Sequence, residues 1–212
     1  MYTPKQFQVE DAAEVHALMR AHPFAVLVTH GSDGIIATHL PTVLKVDDGG
    51  PLGRIECHVA RPNPQWRDFA ADTDALMIFQ GPEAYIRPGW YPSKAEHGKV
   101  VPTWNYAVVH AYGRLETVED PAWLLTHVSE LTRQQEAPHE APWATTDAPE
   151  SYLAVMARGI VGLKLAITRL EAKAKMSQNR EVRDRAGVEQ GLAQRAQGED
   201  AEIAALVGKL RR

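Results

Sequence analysis

The chain has 212 residues, of which 44% are hydrophobic and 24% charged, so it can form one large globular domain or two small ones. Its net charge of −4 argues against a surface that generally coats DNA, although a local basic patch stays open. The one cysteine, Cys57, excludes an intramolecular disulfide and lies in an alternating strand pattern, which favours a buried structural thiol over a nucleophile. With no signal-peptide pattern after Met1 and no apolar run that could cross a bilayer, we expect a cytoplasmic protein.

The first third of the chain predicts one helix followed by short strands. Asp11 and Glu14 resemble a capping box, and the helix should run to Ala21. Ser32-Asp33-Gly34 predicts a hairpin turn between two strands, and Asp48-Gly49-Gly50-Pro51 predicts another turn before a third strand, GRIECHVAR. Asn63-Pro64 then predicts the start of a short helix, with Asn63 as its N-cap.

The middle of the chain predicts three further strands. DALMIFQG and EAYIRPGWY are separated by Gly81-Pro82, which we expect to break the pattern. The sixth strand, from Val101, has two unlike faces. One face is bulky and apolar and is expected to fill the core; its residues are Trp104, Tyr106, Val108, His110 and Tyr112. The other is small and more polar near its start; its residues are Thr103, Asn105, Ala107, Val109 and Ala111.

The last third is helical except for one late strand. Residues 120–157 read as a helical insertion, and VGLKLAITRLEAK returns to strand alternation and should pair with the early strands. From Ser177 onward the pattern is helical, and Gly187, Gly191 and Gly198 are expected to divide it into short helices. The prediction is a mainly β, antiparallel barrel domain over residues 1–176, with C-terminal short helices over 177–212 packed on it.

Several kinds of site lack sequence support. There is no GxGxxG or Walker loop for a nucleotide and no GxSxG elbow for a serine hydrolase. The nine histidines show no HExxH spacing and there is no CxxC pair, so we expect no metal site.

What remains is a set of polar and aromatic clusters where strands begin or end: THLP, HVARPNPQW, YIRPGWYPSK, VPTWNY and KMSQNR. Together they suit a planar, phosphorylated ligand, which needs cations, hydroxyl or amide donors and a flat surface. The candidate cations are Arg61, Lys94, Lys175 and Arg180, and residues 177–179 lie where a helix start would favour an anion. Each signal alone also fits a core tryptophan, a structural histidine, a salt bridge or a helix cap.

Taken in order, these motifs resemble the PaiB-type family of FMN-binding transcriptional regulators. The resemblance rests on MYTP-x-x-F, THLP, H-x-A-R-x-N-P-x-W, YIRPGWYPSK, VPTWNY-x-x-V-H-x-x-G and K-x-SQNR, which together cover most of the chain. It implies an FMN-binding split β-barrel similar to the pyridoxamine-phosphate-oxidase group, and a homodimer with FMN in a groove between subunits. The small face of the sixth strand would then border the flavin or the partner subunit.

The resemblance also implies which residues contact FMN. Thr38, His39 and Leu40 would line the edge of the isoalloxazine, and Ala60, Arg61 and Asn63 would approach the phosphate and ribityl chain. The remaining contacts would be Lys94, Thr103, Trp104, Asn105, Lys175, Ser177 and Gln178.

Three functions stay open at this point. The first is an FMN-binding transcriptional regulator, although no helix-turn-helix pattern appears and the segment from Glu171 has nine Lys/Arg against seven Asp/Glu. The second is a flavin-dependent reductase or oxidase of a small molecule, with His39, His58 and Tyr91 as the nearby proton donors. The third is a cofactor-less binding module, and haem is an alternative ligand.

Overall fold

A computed structural model describes residues 1–47 and 50–210, so Asp48 and Gly49 of the predicted second turn lie outside it. The strands are β1 (Gln8–Val9), β2 (Phe24–Gly31), β3 (Gly34–Pro41), β4 (Val43–Lys45), β5 (Arg54–Ala60), β6 (Ala75–Ile86), β7 (Thr103–Val118) and β8 (Ile160–Lys175). The α-helices are α1 (Ala12–Ala21), α2 (Ser93–His97), α3 (Pro121–Glu136), α4 (Glu150–Arg158), α5 (Val182–Arg195) and α6 (Asp200–Lys209). Short 3-10 turns lie at Lys5–Phe7, Pro64–Trp66, Pro88–Trp90 and Thr145–Asp147.

The strands are hydrogen-bonded in the order β3-β2-β6-β7-β8-β5-β4, and β1 pairs with β8. The late strand β8 pairs antiparallel with the early strand β5, with Cys57 opposite Leu163, as the sequence predicted. β3 also packs against β5, which brings the two ends of the strand order towards each other. The predicted mainly β, antiparallel architecture with helical additions is therefore confirmed.

The chain forms two compact units. The barrel unit comprises His16–Phe79 and His110–Leu170, and the terminal unit comprises Met1–Val15, Gln80–Val109 and Glu171–Arg212. Each of the long strands β6, β7 and β8 contributes residues to both units. The predicted domain limits at 176 and 177 stay a prediction.

The barrel unit contains the predicted hairpin, in which Gly31 pairs with Gly34 across the Ser32-Asp33 turn. Gly34 has a φ of 113°, a conformation that residues with a side chain rarely adopt. The Asp68 carboxylate accepts hydrogen bonds from the Ser32 backbone N–H (2.8 Å) and hydroxyl (3.0 Å), which fixes the turn. The core includes Leu27, Ile55, Met77, Phe79, Leu163 and Leu165, each with no exposed surface.

Cys57 lies in this core and is fully buried, as its strand pattern predicted. Burial, reinforced by the neighbouring Glu56 carboxylate, raises the pKa of the Cys57 thiol to about 12. The thiolate form is therefore not populated at neutral pH, which supports a structural thiol.

The terminal unit contains the C-terminal helices α5 and α6, which pack against each other. The 3-10 turn Pro88–Trp90 packs on α5, and both the backbone N–H and the hydroxyl of Ser93 donate to the buried Asp184 carboxylate, at 3.1 and 2.7 Å. The loop between β6 and β7 is thereby anchored to α5. Among residues 1–47 and 50–210, no helix is both long and apolar enough to span a bilayer.

Three sequence predictions about local structure are wrong. Gly81-Pro82 does not break the chain into two strands, because β6 runs through both residues; each is buried, so the inward alternation shifts by one position, as in a β-bulge. Gly187 and Gly191 lie within α5 and do not interrupt it. A Cβ on either glycine would lie 2.0 to 2.3 Å from atoms of Trp90, so close packing requires glycine there.

The two faces of β7 are also the reverse of the prediction. The small face is buried, with Asn105, Val109 and Ala111 at 0% exposure, whereas Trp104 on the large face is 49% exposed. Position 113, on the buried face, requires glycine, because a Cβ there would lie 2.0 Å from the Ala166 carbonyl oxygen of the neighbouring strand β8.

Candidate functional site

Six of the predicted cofactor contacts lie together in the terminal unit, and we call them the lysine cluster: Thr103, Trp104, Asn105, Lys175, Ser177 and Gln178. The Lys175 ammonium group donates hydrogen bonds to the Thr103 hydroxyl and to the Trp104 carbonyl oxygen, the latter at 2.9 Å. Burial lowers the pKa of Lys175, and the cations Lys173 and Arg180 act in the same direction against an opposing effect of Tyr106. The cluster therefore presents a cation that is held in place by the first residues of β7.

The backbone beside Lys175 is strained and tightly held. Ser177 has a φ of 62°, although it is not glycine, and it is 3% exposed. Its hydroxyl and the buried Asn105 carboxamide exchange two hydrogen bonds of 3.1 Å. Gln178 closes the turn by accepting from the Met176 N–H at 2.6 Å and donating to the Ala174 carbonyl at 2.5 Å. Strain of this kind persists where the surroundings over-determine it, which is typical of binding sites.

An exposed aromatic pair lies at the same end of β7. Trp104 and Tyr85 meet edge to face, with ring centroids 5.8 Å apart and an angle of 63°. They are 49% and 38% exposed, and the Tyr85 carbonyl is held by Arg195 at 2.9 Å. Tyr85 was not among the predicted contacts, although its place in YIRPGWYPSK was the signal for it. The pair therefore offers exposed aromatic surface at the start of β7, where the Trp104 carbonyl also binds Lys175.

Two other predicted contacts form a polar cluster in the barrel unit. The Asn63 carboxamide donates to the Thr38 hydroxyl at 3.0 Å and accepts from the Gln65 N–H at 3.0 Å, which confirms Asn63 as the N-cap. Gln65 is completely buried and donates to the carbonyl of Leu27 and the hydroxyl of Thr29. Sequence reasoning missed Gln65, and only its position in HVARPNPQW could have indicated it. Asn63 and Gln65 therefore tie this turn to the β2–β3 hairpin.

The remaining predicted contacts, on β3 and β5, differ in how far their side chains are exposed to solvent. The His39 ring is exposed and stacks on Phe24, with centroids 6.3 Å apart. The Leu40 side chain is only 2% exposed, so any ligand contact there would involve its backbone. Ala60, at the end of β5, is exposed.

Arg61 uses its guanidinium within the barrel unit. Its Nε donates to the Arg158 carbonyl at 2.8 Å, its Nη2 to the Ile160 carbonyl at 3.1 Å, and its Nη1 to the Glu119 carboxylate at 2.6 Å. These bonds join the end of β5 to the start of β8. A phosphate would have to compete with Glu119 for the same donors.

Lys94 is not hydrogen-bonded to the residues of the lysine cluster. It is exposed on α2, and across the described residues its ammonium group makes no hydrogen bond or ion pair. Arg180, another candidate cation, has its guanidinium 4.8 Å from the centroid of the Tyr91 ring. Burial raises the pKa of Tyr91, which the Arg180 cation opposes.

Of the proposed proton donors, His58 is engaged with a second histidine. Its Nδ1 lies 3.2 Å from Nε2 of His127 on α3, and burial lowers the pKa of both rings. His127 was not predicted from the sequence, because it lies in the helical insertion, where no site motif marked it.

The donor set of the lysine cluster fits FMN. Lys175 and the Thr103 hydroxyl can donate to phosphate or carbonyl oxygens, and the exposed Trp104–Tyr85 pair can contact a planar ring. Hydrogen bonds within the protein already hold these donors in position, so the site is pre-organised for a ligand.

Comparison with known proteins indicates the family of the chain. The family described as "Putative FMN-binding domain" matches residues 1–169. The chain is 36% identical over 184 residues to the protease synthase and sporulation protein PAI 2 of Bacillus subtilis, covering 87% of this chain and 85% of that protein. It is 32% identical over 209 residues to an uncharacterized protein of Emericella nidulans, covering 82% of this chain and 83% of that protein.

Two solved structures show the same fold at low identity. The conserved hypothetical protein Rv2991 of Mycobacterium tuberculosis has a TM-score of 0.59 at 14% identity, covering 85% of this chain and 94% of that one. The flavocytochrome Anf3 of Azotobacter vinelandii has a TM-score of 0.55 at 13% identity, covering 79% of this chain and 69% of that one. The predicted split β-barrel is confirmed, and the chain belongs to the FMN-binding, PaiB-type family, with FMN as its cofactor.

Proposed function

We propose that the lysine cluster holds FMN and that the flavin-loaded chain acts as a homodimeric regulator of transcription. The observation that supports the binding site best is the Lys175 ammonium group, which is fixed by the Thr103 hydroxyl and the Trp104 carbonyl at the start of β7. FMN, when bound, supplies hydride or single-electron chemistry, and the protein orients it.

Each residue of the cluster has a distinct role in this proposal. Lys175 and Thr103 donate to oxygens of FMN, and the exposed ring of Trp104 contacts the flat isoalloxazine. Asn105 and Gln178 act through Ser177 and the turn after β8 and are positioning residues, because their side-chain bonds are made to the protein.

The predicted contacts of the barrel unit are kept in the proposal as a second group. Asn63 and Thr38 offer a carboxamide and a hydroxyl that already hydrogen-bond each other. His39 offers an exposed ring, Leu40 its backbone, and Ala60 an exposed backbone at the end of β5. Arg61 would contact the phosphate only if its guanidinium N–H groups were shared between the phosphate and the Glu119 carboxylate.

The dimeric and regulatory parts of the proposal come from the PaiB-type resemblance. A homodimer would let one subunit supply contacts to the FMN of the other, and the cytoplasmic location stays a prediction of the sequence. DNA binding has weak physical support, since nine Lys/Arg against seven Asp/Glu from Glu171 onward make only a small positive excess.

A flavin titration tests the binding site. We expect saturable FMN binding at one site per subunit and much weaker binding of riboflavin, which lacks the phosphate. Lys175→Met should weaken FMN binding by about 10- to 100-fold, the effect of losing a charge-assisted hydrogen bond. Lys99→Met, at an exposed lysine between α2 and β7, is the matched control and should bind as the wild type does. Equal binding of FMN by the two variants would remove Lys175 from the site.

Two assays then separate the functions. Sequence-specific DNA binding that persists at physiological salt would support the regulator. Consumption of NAD(P)H by the flavin-loaded protein, without such DNA binding, would favour the flavin-dependent oxidoreductase instead.

A further inference from the structure

A cavity of about 610 Å³ lies in the terminal unit between α5 and the loop that joins β6 to β7. Its lining residues are Gly89, Trp90, Tyr91, Pro92, Lys94, Ala95, Gly187, Gln190, Gly191 and Gln194. This volume is in the range of sites for small organic molecules. None of the lysine cluster residues is among the lining.

The walls of the cavity are fixed in place. Trp90 packs so closely on α5 that a Cβ at Gly191 would lie 2.3 Å from its indole ring. Ser93 is bonded to the buried Asp184, and Arg183 pairs with Glu96 of α2 through both terminal nitrogens of its guanidinium. The loop and the helix therefore hold the cavity open without a ligand, which lowers the cost of binding one.

The polar groups of the lining select the charge of a ligand. Lys94 is the one charged residue, and no carboxylate is among the lining residues. Gln190 and Gln194 lie one helical turn apart on α5, and across residues 1–47 and 50–210 neither carboxamide makes a side-chain hydrogen bond. An unpaired ammonium group beside two free carboxamides is suited to a carboxylate or phosphate.

The aromatic groups select the shape of a ligand. Trp90 is half-buried and lines the cavity, so its indole can contact a flat ring, whereas the Tyr91 residue is only 2% exposed and offers the cavity little surface. The guanidinium of Arg195, which is paired with Asp200, lies 4.9 Å from the centroid of the Trp90 ring and braces it.

We propose that this cavity binds a small aromatic anion, separate from FMN, with Lys94 as its counter-ion. The sequence placed Lys94 with the cofactor contacts; its position in a cavity of its own supports a second ligand. The recognising chemistry is an anionic group on a flat ring, which FMN itself also has. The test must therefore distinguish a separate aromatic anion from the cofactor.

The experiment is a calorimetric titration of benzoate and of uncharged benzamide into the full chain, with and without FMN. We expect benzoate to bind both forms of the protein and benzamide to bind at least 10-fold more weakly. Lys94→Gln should abolish this preference and leave FMN affinity unchanged, whereas Lys99→Gln should leave both unchanged. Because the flavin-free protein is also titrated, benzoate binding tests the cavity even if FMN does not bind at the lysine cluster.

Two outcomes would overturn the proposal. If benzoate does not bind, or binds Lys94→Gln as well as the wild type, the cavity is not an anion site. If FMN displaces benzoate and Lys94→Gln weakens FMN binding, the cavity belongs to the cofactor.

Discussion

His58 on β5 and His127 on α3, a helix of the predicted helical insertion, lie with Nδ1 and Nε2 3.2 Å apart. His127 is 1% exposed and stacks on Trp123, with ring centroids 5.1 Å apart and an angle of 4°. Trp123 in turn packs on β8 at Gly162, where a Cβ would lie 2.1 Å from its ring. The helix is thus joined to the sheet through two histidines that must not both be charged.

This arrangement predicts that acid destabilises the protein before its carboxylates titrate. Burial, with the nearby charges of His58 and Lys45, lowers the pKa of His127 from 6.5 to about 4. Below pH 6.5 the unfolded chain therefore takes up a proton that the folded state refuses, so the free energy of unfolding falls as the pH falls towards 4. From pH 7 to pH 5 the loss from His127 should be about 2 kcal/mol, and His58 adds to it in the same direction.

Urea unfolding at pH 7 and pH 5 measures this loss. His127→Phe keeps a ring to stack on Trp123 but cannot be protonated, so its stability should depend less on pH than that of the wild type. His139→Phe, at an exposed histidine, is the control and should retain the wild-type dependence. The same pH dependence in all three proteins would contradict the assignment.

Gly191 and Gly208 should respond oppositely to alanine, although both lie within helices. Alanine is favoured over glycine in a helix by up to about 1 kcal/mol. At Gly191 a Cβ would lie 2.3 Å from the indole ring of Trp90, so Gly191→Ala should destabilise the protein by about 1–3 kcal/mol, the cost of overpacking. At Gly208 the nearest atom is a carboxylate oxygen of Glu189 at 3.0 Å, at the end of a flexible side chain, so Gly208→Ala should be neutral or stabilising. Thermal unfolding of both variants checks this, and a stabilised Gly191→Ala would disprove the close contact.

The sequence predicted most elements because local patterns decide them. The Ser32-Asp33-Gly34 turn, the Asn63 cap and the alternation of β8 each depend on a few neighbouring residues, and all are present. The glycines of α5 were misread because their role is set by Trp90, about a hundred residues away in the chain. Which face of β7 is buried also depends on what the rest of the fold packs against the strand, which no local pattern records.

The candidate site also combines features that local sequence predicts with features that depend on distant residues. Lys175, Thr103 and Asn105 could be named from their motifs, and the structure brings them together with Ser177. The partners that hold predicted residues in place, such as Tyr85 beside Trp104 and Glu119 beside Arg61, come from other strands and loops. Side-chain pairing of this kind depends on strand register and could not be read from one sequence.

Ser177 should be more tolerant of glycine than of alanine. Its φ of 62° is strained for any residue with a Cβ, and its hydroxyl bonds the buried Asn105. Ser177→Ala loses the hydrogen bonds and keeps the strain, whereas Ser177→Gly loses the bonds but relieves the strain. We expect Ser177→Ala to be less stable than Ser177→Gly by about 1 kcal/mol in chemical denaturation. The reverse order would show that the left-handed backbone costs little here.

Replacing Lys175 and replacing Arg61 should reduce the affinity for FMN to different extents. The Arg61 donors are occupied by Arg158, Ile160 and Glu119, so a bound phosphate would gain from Arg61 only what Glu119 gives up. Arg61→Met should therefore weaken FMN binding less than Lys175→Met does.

Because Arg61 joins two strand ends, Arg61→Met should lower the free energy of unfolding by about 1 kcal/mol through the loss of hydrogen bonds to two backbone carbonyls. Glu119 is 55% exposed, so the ion pair itself should add little to stability. Flavin titration and urea unfolding of both variants, with Glu119→Gln as a third, separate the two effects. If Arg61→Met weakens FMN binding as much as Lys175→Met does, the ranking fails; if FMN affinity stays unchanged in Glu119→Gln and Arg61→Met alike, Arg61 serves the barrel unit alone.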